Sequence, residues 1–166
     1  EVPCVIDILE VHNNTPPINE GVDLGFSVDI EGDRLVAGAP VEGLAWLGAA
    51  YVFQRQNNQW VQEARLIESD PSWKDSLGRS VAISGDRVIA GAPHPIIDDN
   101  NFGEAWVFRK VGGEWIEEAS LIPSISRLRD FFGVSVAIQD EVAVVWAFLA
   151  DPSGRGRTFV FLWNGT

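Results

Sequence analysis

The chain repeats itself, and a fixed period decides an architecture before any local propensity does. Leu24-Gly25-Phe26-Ser27-Val28 recurs as Leu77-Gly78-Arg79-Ser80-Val81 and again as Phe132-Gly133-Val134-Ser135-Val136, so the glycines stand 53 and then 55 residues apart. The match continues as Gly32-Asp33-Arg34-Leu35-Val36-Ala37-Gly38-Ala39-Pro40 against Gly85-Asp86-Arg87-Val88-Ile89-Ala90-Gly91-Ala92-Pro93, with most positions identical. Farther along, Ala50-Tyr51-Val52-Phe53 answers Ala105-Trp106-Val107-Phe108 and Thr158-Phe159-Val160-Phe161, and Trp60 with Leu66-Ile67 answers Trp115 with Leu121-Ile122. A full unit therefore holds four apolar segments.

Those segments are short, rich in β-branched and aromatic residues, and divided by turn residues, which predicts strands and leaves little room for helix. In the first unit strands are expected near 27–30, 34–38, 49–54 and 60–67. Gly32-Asp33 and Gly85-Asp86 fall between the first two strands of their units, and Asn57-Asn58 and Gly112-Gly113 between the last two, where tight hairpins demand positive φ. Simple alternation along the fourth strand sets Trp60, Ala64 and Leu66 on one face and Glu63 and Arg65 on the other. Trp60, Trp106 and Trp115 are expected to fill space between units. A four-stranded antiparallel sheet of about fifty residues, repeated in tandem, is the blade of a β-propeller. The expected fold class is all-β, with 24–76 as blade 1, 77–131 as blade 2, 132–166 as blade 3 lacking its fourth strand, and 1–23 as an N-terminal strand and linker.

The same residues resemble a known family. Leu24-Gly25 to Gly38-Ala39-Pro40, and Leu77-Gly78 to Gly91-Ala92-Pro93, look like FG-GAP repeats, the blades of the integrin α-subunit propeller and its bacterial and algal relatives. Asp75 and Asp130, each three residues before the glycine of its unit, match the aspartate that commonly precedes the FG pair. In the third unit Trp146-Ala147-Phe148 stands where Gly-Ala-Pro is expected, so that blade must pack differently at this corner. The resemblance also implies a calcium loop of the Asp-x-Asp-x-Asp-Gly kind, from which this chain departs. Glu31-Gly32-Asp33 and Ser84-Gly85-Asp86 are turns too short to encircle an ion, and the alternating Asp29, Glu31 and Asp33 read as a plain hairpin. The remaining calcium candidate is the oxygen-rich run Asp98-Asp99-Asn100-Asn101; otherwise no cofactor is expected.

Propellers close with roughly four to eight blades, so three in a lone chain leave the ring open. The third unit has no Trp-containing fourth strand, whereas residues 2–11 form an apolar segment with no place in the first unit. Cys4, Ile6 and Ile8 share one face of it, and Val5, Leu9 and Val11 the other. In propellers of the family an N-terminal strand often completes the last blade. The expectation is that Val5, Ile6, Ile8, Leu9 and Val11 form an assembly strand that completes the last blade of another copy, making either a six-bladed ring or a filament. The alternative is a fragment of a larger integrin-like surface receptor.

Composition narrows the rest. In 166 residues, 46% hydrophobic, there is enough apolar matter for one domain with a core. The net charge of -12 repels phosphate backbones and anionic lipid, so neither nucleic acid nor membrane insertion is expected. The sequence starts at Glu1 and holds no methionine, which suggests a removed secretory leader, excision from a longer protein, or an incomplete sequence. The sequons Asn13-Asn14-Thr15 and Asn164-Gly165-Thr166 point to glycosylation and an extracellular or cell-surface location. Cys4, the lone cysteine, permits no internal disulfide. No hydrolytic nucleophile motif is present, and His12 and His94 are the only imidazoles, so no enzyme is expected. The function expected is a non-catalytic propeller module for self-assembly and adhesion, partnered by itself and by glycans or surface proteins. A lectin-like propeller is the alternative, with Trp46, Trp73, Asp98 and Asp99 as candidate ligand contacts.

Overall fold

The computed structural model describes residues 23–43, 46–70, 75–93, 102–123, 130–150 and 154–163. All eleven elements among them are strands. β1 (Val28–Glu31), β2 (Arg34–Ala39), β3 (Ala49–Gln56) and β4 (Gln59–Leu66) form one antiparallel sheet in the order β1-β2-β3-β4. β5 (Ser80–Ser84), β6 (Arg87–Ala92), β7 (Glu104–Val111) and β8 (Glu114–Leu121) repeat it, and β9 (Phe132–Gln139), β10 (Val142–Ala147) and β11 (Arg157–Leu162) form a third sheet of three strands. These are the blades that the repeat predicts, with bounds displaced by one or two residues.

The hairpins follow from their turn residues. Glu31 pairs with Arg34 across Gly32-Asp33, and Gly32 takes φ 58°, a value that a glycine adopts without steric cost. Gly85 does the same at 57°, whereas the third sheet places Asp140 there at 52°. Between β3 and β4 both Asn57 (49°) and Asn58 (64°) are left-handed, the signature of a type I′ turn whose twist suits adjoining strands.

One expectation fails inside the fourth strands. Val52 pairs with Ala64 but Phe53 pairs with Gln62, so Glu63 is an extra residue, a β-bulge; Glu118 is its counterpart between Val107 and Phe108. A bulge reverses which face the following residues occupy. Trp60 therefore packs with Tyr51 and Phe53 on one face of the first sheet, while Ala64 and Leu66 pack with Val36, Ala50 and Val52 on the other. The three do not share a face.

The core lies between the sheets. Val36, Ala50, Val52 and Leu66 of the first meet Val81, Ile83, Val88, Trp106 and Phe108 of the second, with Trp115 packed against them. Ile89, Ala105, Val107 and Leu121 then meet Phe132, Ala143, Val145 and Ala147 of the third. Trp106 and Trp115 fill the space between blades as expected. Trp60 does not: it stands at the position of Trp115 but on the face of the first sheet turned away from the second.

Candidate functional site

The surface available for recognition is defined by how one blade meets the next. At each seam the backbone of the following blade enters a pocket floored by glycine. A Cβ on Gly38 would lie 1.9 Å from the Gly78 carbonyl oxygen, and a Cβ on Gly91 1.9 Å from that of Gly133. Ser27 Oγ donates a hydrogen bond of 2.9 Å to the Gly78 oxygen, and Ser80 Oγ one of 2.8 Å to that of Gly133. Only a residue without a side chain permits so close an approach. Side chains of the first strand then fasten the next hairpin: Asp29 accepts from Ile83 N at 2.9 Å, Glu31 from Gly85 N, and Ser84 Oγ from Asp140 N at 3.1 Å. Asp29 and Glu31, read from sequence as parts of a plain turn, thus bind the neighbouring blade.

The bulge glutamates close the outer part of each seam. Glu63 accepts from Lys110 Nζ and, at 3.0 Å, from Trp115 Nε1, with Arg34 Nε 3.5 Å away. Burial raises the Glu63 pKa, but the hydrogen bonds from Lys110 and Trp115 and the charges of Lys110 and Arg34 outweigh it and hold the carboxyl below its ordinary value. At the second seam Glu118 takes two bonds from Arg87, at 2.7 and 3.1 Å, and the Arg87 guanidinium lies 5.0 Å from the centre of the Trp163 ring.

Among the described residues two sheet faces end this stack. Val28 and Ile30 are 67% and 60% exposed, whereas Val81 and Ile83, which hold the same repeat positions, are 7% and 4% exposed beneath the first blade. They border a concavity of about 460 Å³ that Leu24, Leu35 and Ala37 also line. At the opposite end the third sheet exposes Trp146, Phe148, Val160 and Leu162. Among the described residues β11 pairs only with β10, so its outer edge is open.

Most residues singled out from sequence lie outside the described residues. Val5, Ile6, Ile8, Leu9 and Val11, the sequon asparagines Asn13 and Asn164, Trp73, and the calcium candidates Asp98 and Asp99 all do. Among the described residues no group of three or more His, Cys, Asp or Glu side chains could hold a metal ion. Trp46 is described: 49% of it is exposed, and its φ of 54° is rare for a bulky residue. Neighbouring backbone holds it there, its amide donating to Gly43 O at 3.2 Å and its carbonyl accepting from Ser76 N at 3.1 Å.

Sequence inspection misses one carboxyl cluster. Glu68 and Asp75 are both buried, at 5% and 6% exposure. Burial, then the charges of Asp75 and Glu104, a hydrogen bond with Asp75 and the charge of Glu117 push the Glu68 carboxyl up to about 8. Burial and the charges of Asp75 and Asp70 raise Glu104 as well. These groups come from β7, β8 and the segments after β4 and before β5, so nothing in their spacing announces them. Asp75 and Asp130, matched to the family aspartate by position, are both buried.

A family model described as an FG-GAP repeat matches residues 60–108 and 115–161. Each match begins at an equivalent tryptophan in the fourth strand of one sheet and ends in the third strand of the next, so it crosses a seam. No curated protein matches the chain.

Proposed function

The chain belongs to the FG-GAP repeat family, and from that premise we propose that it is a non-catalytic β-propeller module for self-assembly and adhesion outside the cell or at its surface, joined by strand exchange between copies. The observation that carries this reading is the third sheet, which among the described residues has three strands where the other two have four. An open edge with exposed apolar residues beside it is a template for a further strand. The spacing within the family matches supplies a candidate. Trp60 precedes Gly78 by the same 18 residues as Trp115 precedes Gly133, and 18 residues before Gly25 lies Asp7, inside the apolar segment of Val5, Ile6, Ile8, Leu9 and Val11. That segment stands where a fourth strand stands in the other units. Its docking on β11 of another copy would cover Val160 and Leu162. The test is light scattering of the full chain against a chain lacking residues 1–12. Loss of the assembled species on truncation is expected; a truncated chain that stays fully assembled overturns strand exchange.

Trp46 favours a second reading, a lectin-like propeller. A half-exposed indole on a backbone held in an unusual conformation is a rigid platform for stacking on a sugar ring. A glycan array identifying a ligand, with binding abolished in Trp46→Ala, would establish this reading in place of the first.

A further inference from the structure

The three sheets present the same pocket twice and then fill it. In the first sheet the pocket is made of Ser27, Gly38 and Ala50, which lie side by side because Gly38 pairs with Ala50 and its amide bonds Ser27 O at 2.8 Å. In the second, Gly91 pairs with both Ser80 and Ala105. In the third, Trp146 pairs with both Ser135 and Thr158. Directly opposed residues of antiparallel strands project to one face, so these are three versions of one site. The first two receive the carbonyl of the next blade, and neither has room even for a methyl group. The third holds an indole where the others have a hydrogen atom, and threonine where they have alanine.

From this we infer that Trp146 closes the outer face of the third sheet to any further blade of the same repeat, whether from a second copy or from a longer chain. A following blade in the geometry of the first two seams would drive its glycine carbonyl into the indole. Ser135 keeps the hydroxyl that Ser27 and Ser80 give to the next blade, yet that oxygen position is blocked. The indole is fixed in place: it stacks edge-on with Phe148 at 5.5 Å between ring centres, and it lies so close to Gly156 that a Cβ there would come within 2.4 Å of Trp146 Nε1. Phe148 replaces the proline of the Gly-Ala-Pro corner, so two large rings stand where the other blades keep a flat surface. A register shift between Trp146 and Ala147 marks the local accommodation. Among the described residues the first sheet has no such barrier: Val28 and Ile30 are exposed, so the stack is directional, receptive at the first sheet and shut at the third. This inference rests on the seams, and it limits strand exchange to the edge of the third sheet: a segment donated to β11 cannot bring its own first sheet onto the third in the geometry of the other two seams.

The test opens the barrier. The full chain carrying Trp146→Gly and Thr158→Ala is compared with the unaltered chain by sedimentation velocity over a concentration series. The altered chain should gain an association at least about ten-fold tighter, through its third sheet and the first sheet of another copy, and adding Val28→Lys with Ile30→Lys should cancel the gain. Unchanged association, with the far-ultraviolet circular dichroism of the native sheets retained, overturns the inference, as does a gain that the two lysines leave intact. If the altered chain does not fold, the reverse change decides. Gly91→Trp should lower the urea midpoint and open the second seam, and an unchanged midpoint refutes the proposed clash.

Discussion

Replacing Gly38 by alanine tests whether adjacent blades interlock through their backbones. The new Cβ would lie 1.9 Å from Gly78 O, 2.6 Å from Ser27 Oγ and 2.8 Å from Gly78 C. An ordinary carbon to oxygen contact is longer by more than an ångström, and what must yield is the peptide chain of the second blade, not the tip of a flexible side chain. Overpacking of this kind costs about 1–3 kcal/mol. Displacing Gly78 also loosens its bond from Ser27 Oγ, adding about 1 kcal/mol. A total near 3 kcal/mol lowers the thermal midpoint of a chain this size by roughly 6–12 °C. The control is Gly32→Ala, where a Cβ meets nothing within 4 Å and only the φ of 58° is strained, for about 1 kcal/mol. Urea unfolding followed by tryptophan fluorescence gives both numbers. Equal losses in the two variants would refute the interlocked seam.

Glu68→Gln should remove a pH dependence with a definite sign. The native carboxyl titrates near 8 against an ordinary 4.5, so between those values the folded chain holds a proton that the unfolded chain has released. Its stabilising contribution is complete below pH 4.5 and fades as pH rises through 8, with a slope of at most about 1.4 kcal/mol per pH unit. Urea midpoints from pH 5 to 8.5 should fall more steeply for the native chain than for the variant, and parallel profiles would contradict the assignment. Glu63→Ala leaves Lys110, Trp115 and Arg34 facing one another without their acceptor and should cost about 1–3 kcal/mol. Asp33→Ala, which breaks the exposed pair with Arg55 at 3.8 Å, should cost less than about 1 kcal/mol in the same unfolding assay.

The repeat made most of the architecture legible, because the four segments of each unit and the residues between them state a hairpin sheet in local terms. Asn57-Asn58 and Gly32 are readable as turns since their chemistry permits the backbone angles they adopt. Trp146 was visible as a departure from Gly-Ala-Pro, although its consequence needed the neighbouring seams as templates. The bulge at Glu63 was not legible. One extra residue leaves no mark in composition, yet it turns Trp60 to the opposite face from Ala64 and Leu66. The cluster around Glu68 was hidden for a different reason: its carboxylates come from β7, β8 and the segments after β4 and before β5, far apart in sequence, and meet only in the folded chain. Candidate contact residues such as Trp46 are the least readable, since loops are free of the periodicity that betrays strands.

The bonds across each seam join residues a nearly constant distance apart along the chain, from Ser27 to Gly78, Asp29 to Ile83 and Ser84 to Asp140. Coupling of that kind is linear, like the links of a watch strap. A defect at the second seam therefore frees the third sheet and leaves the first two clasped, and a cut at the boundary between sheets severs the family's own unit, which runs from Trp60 to Phe108 and from Trp115 to Phe161.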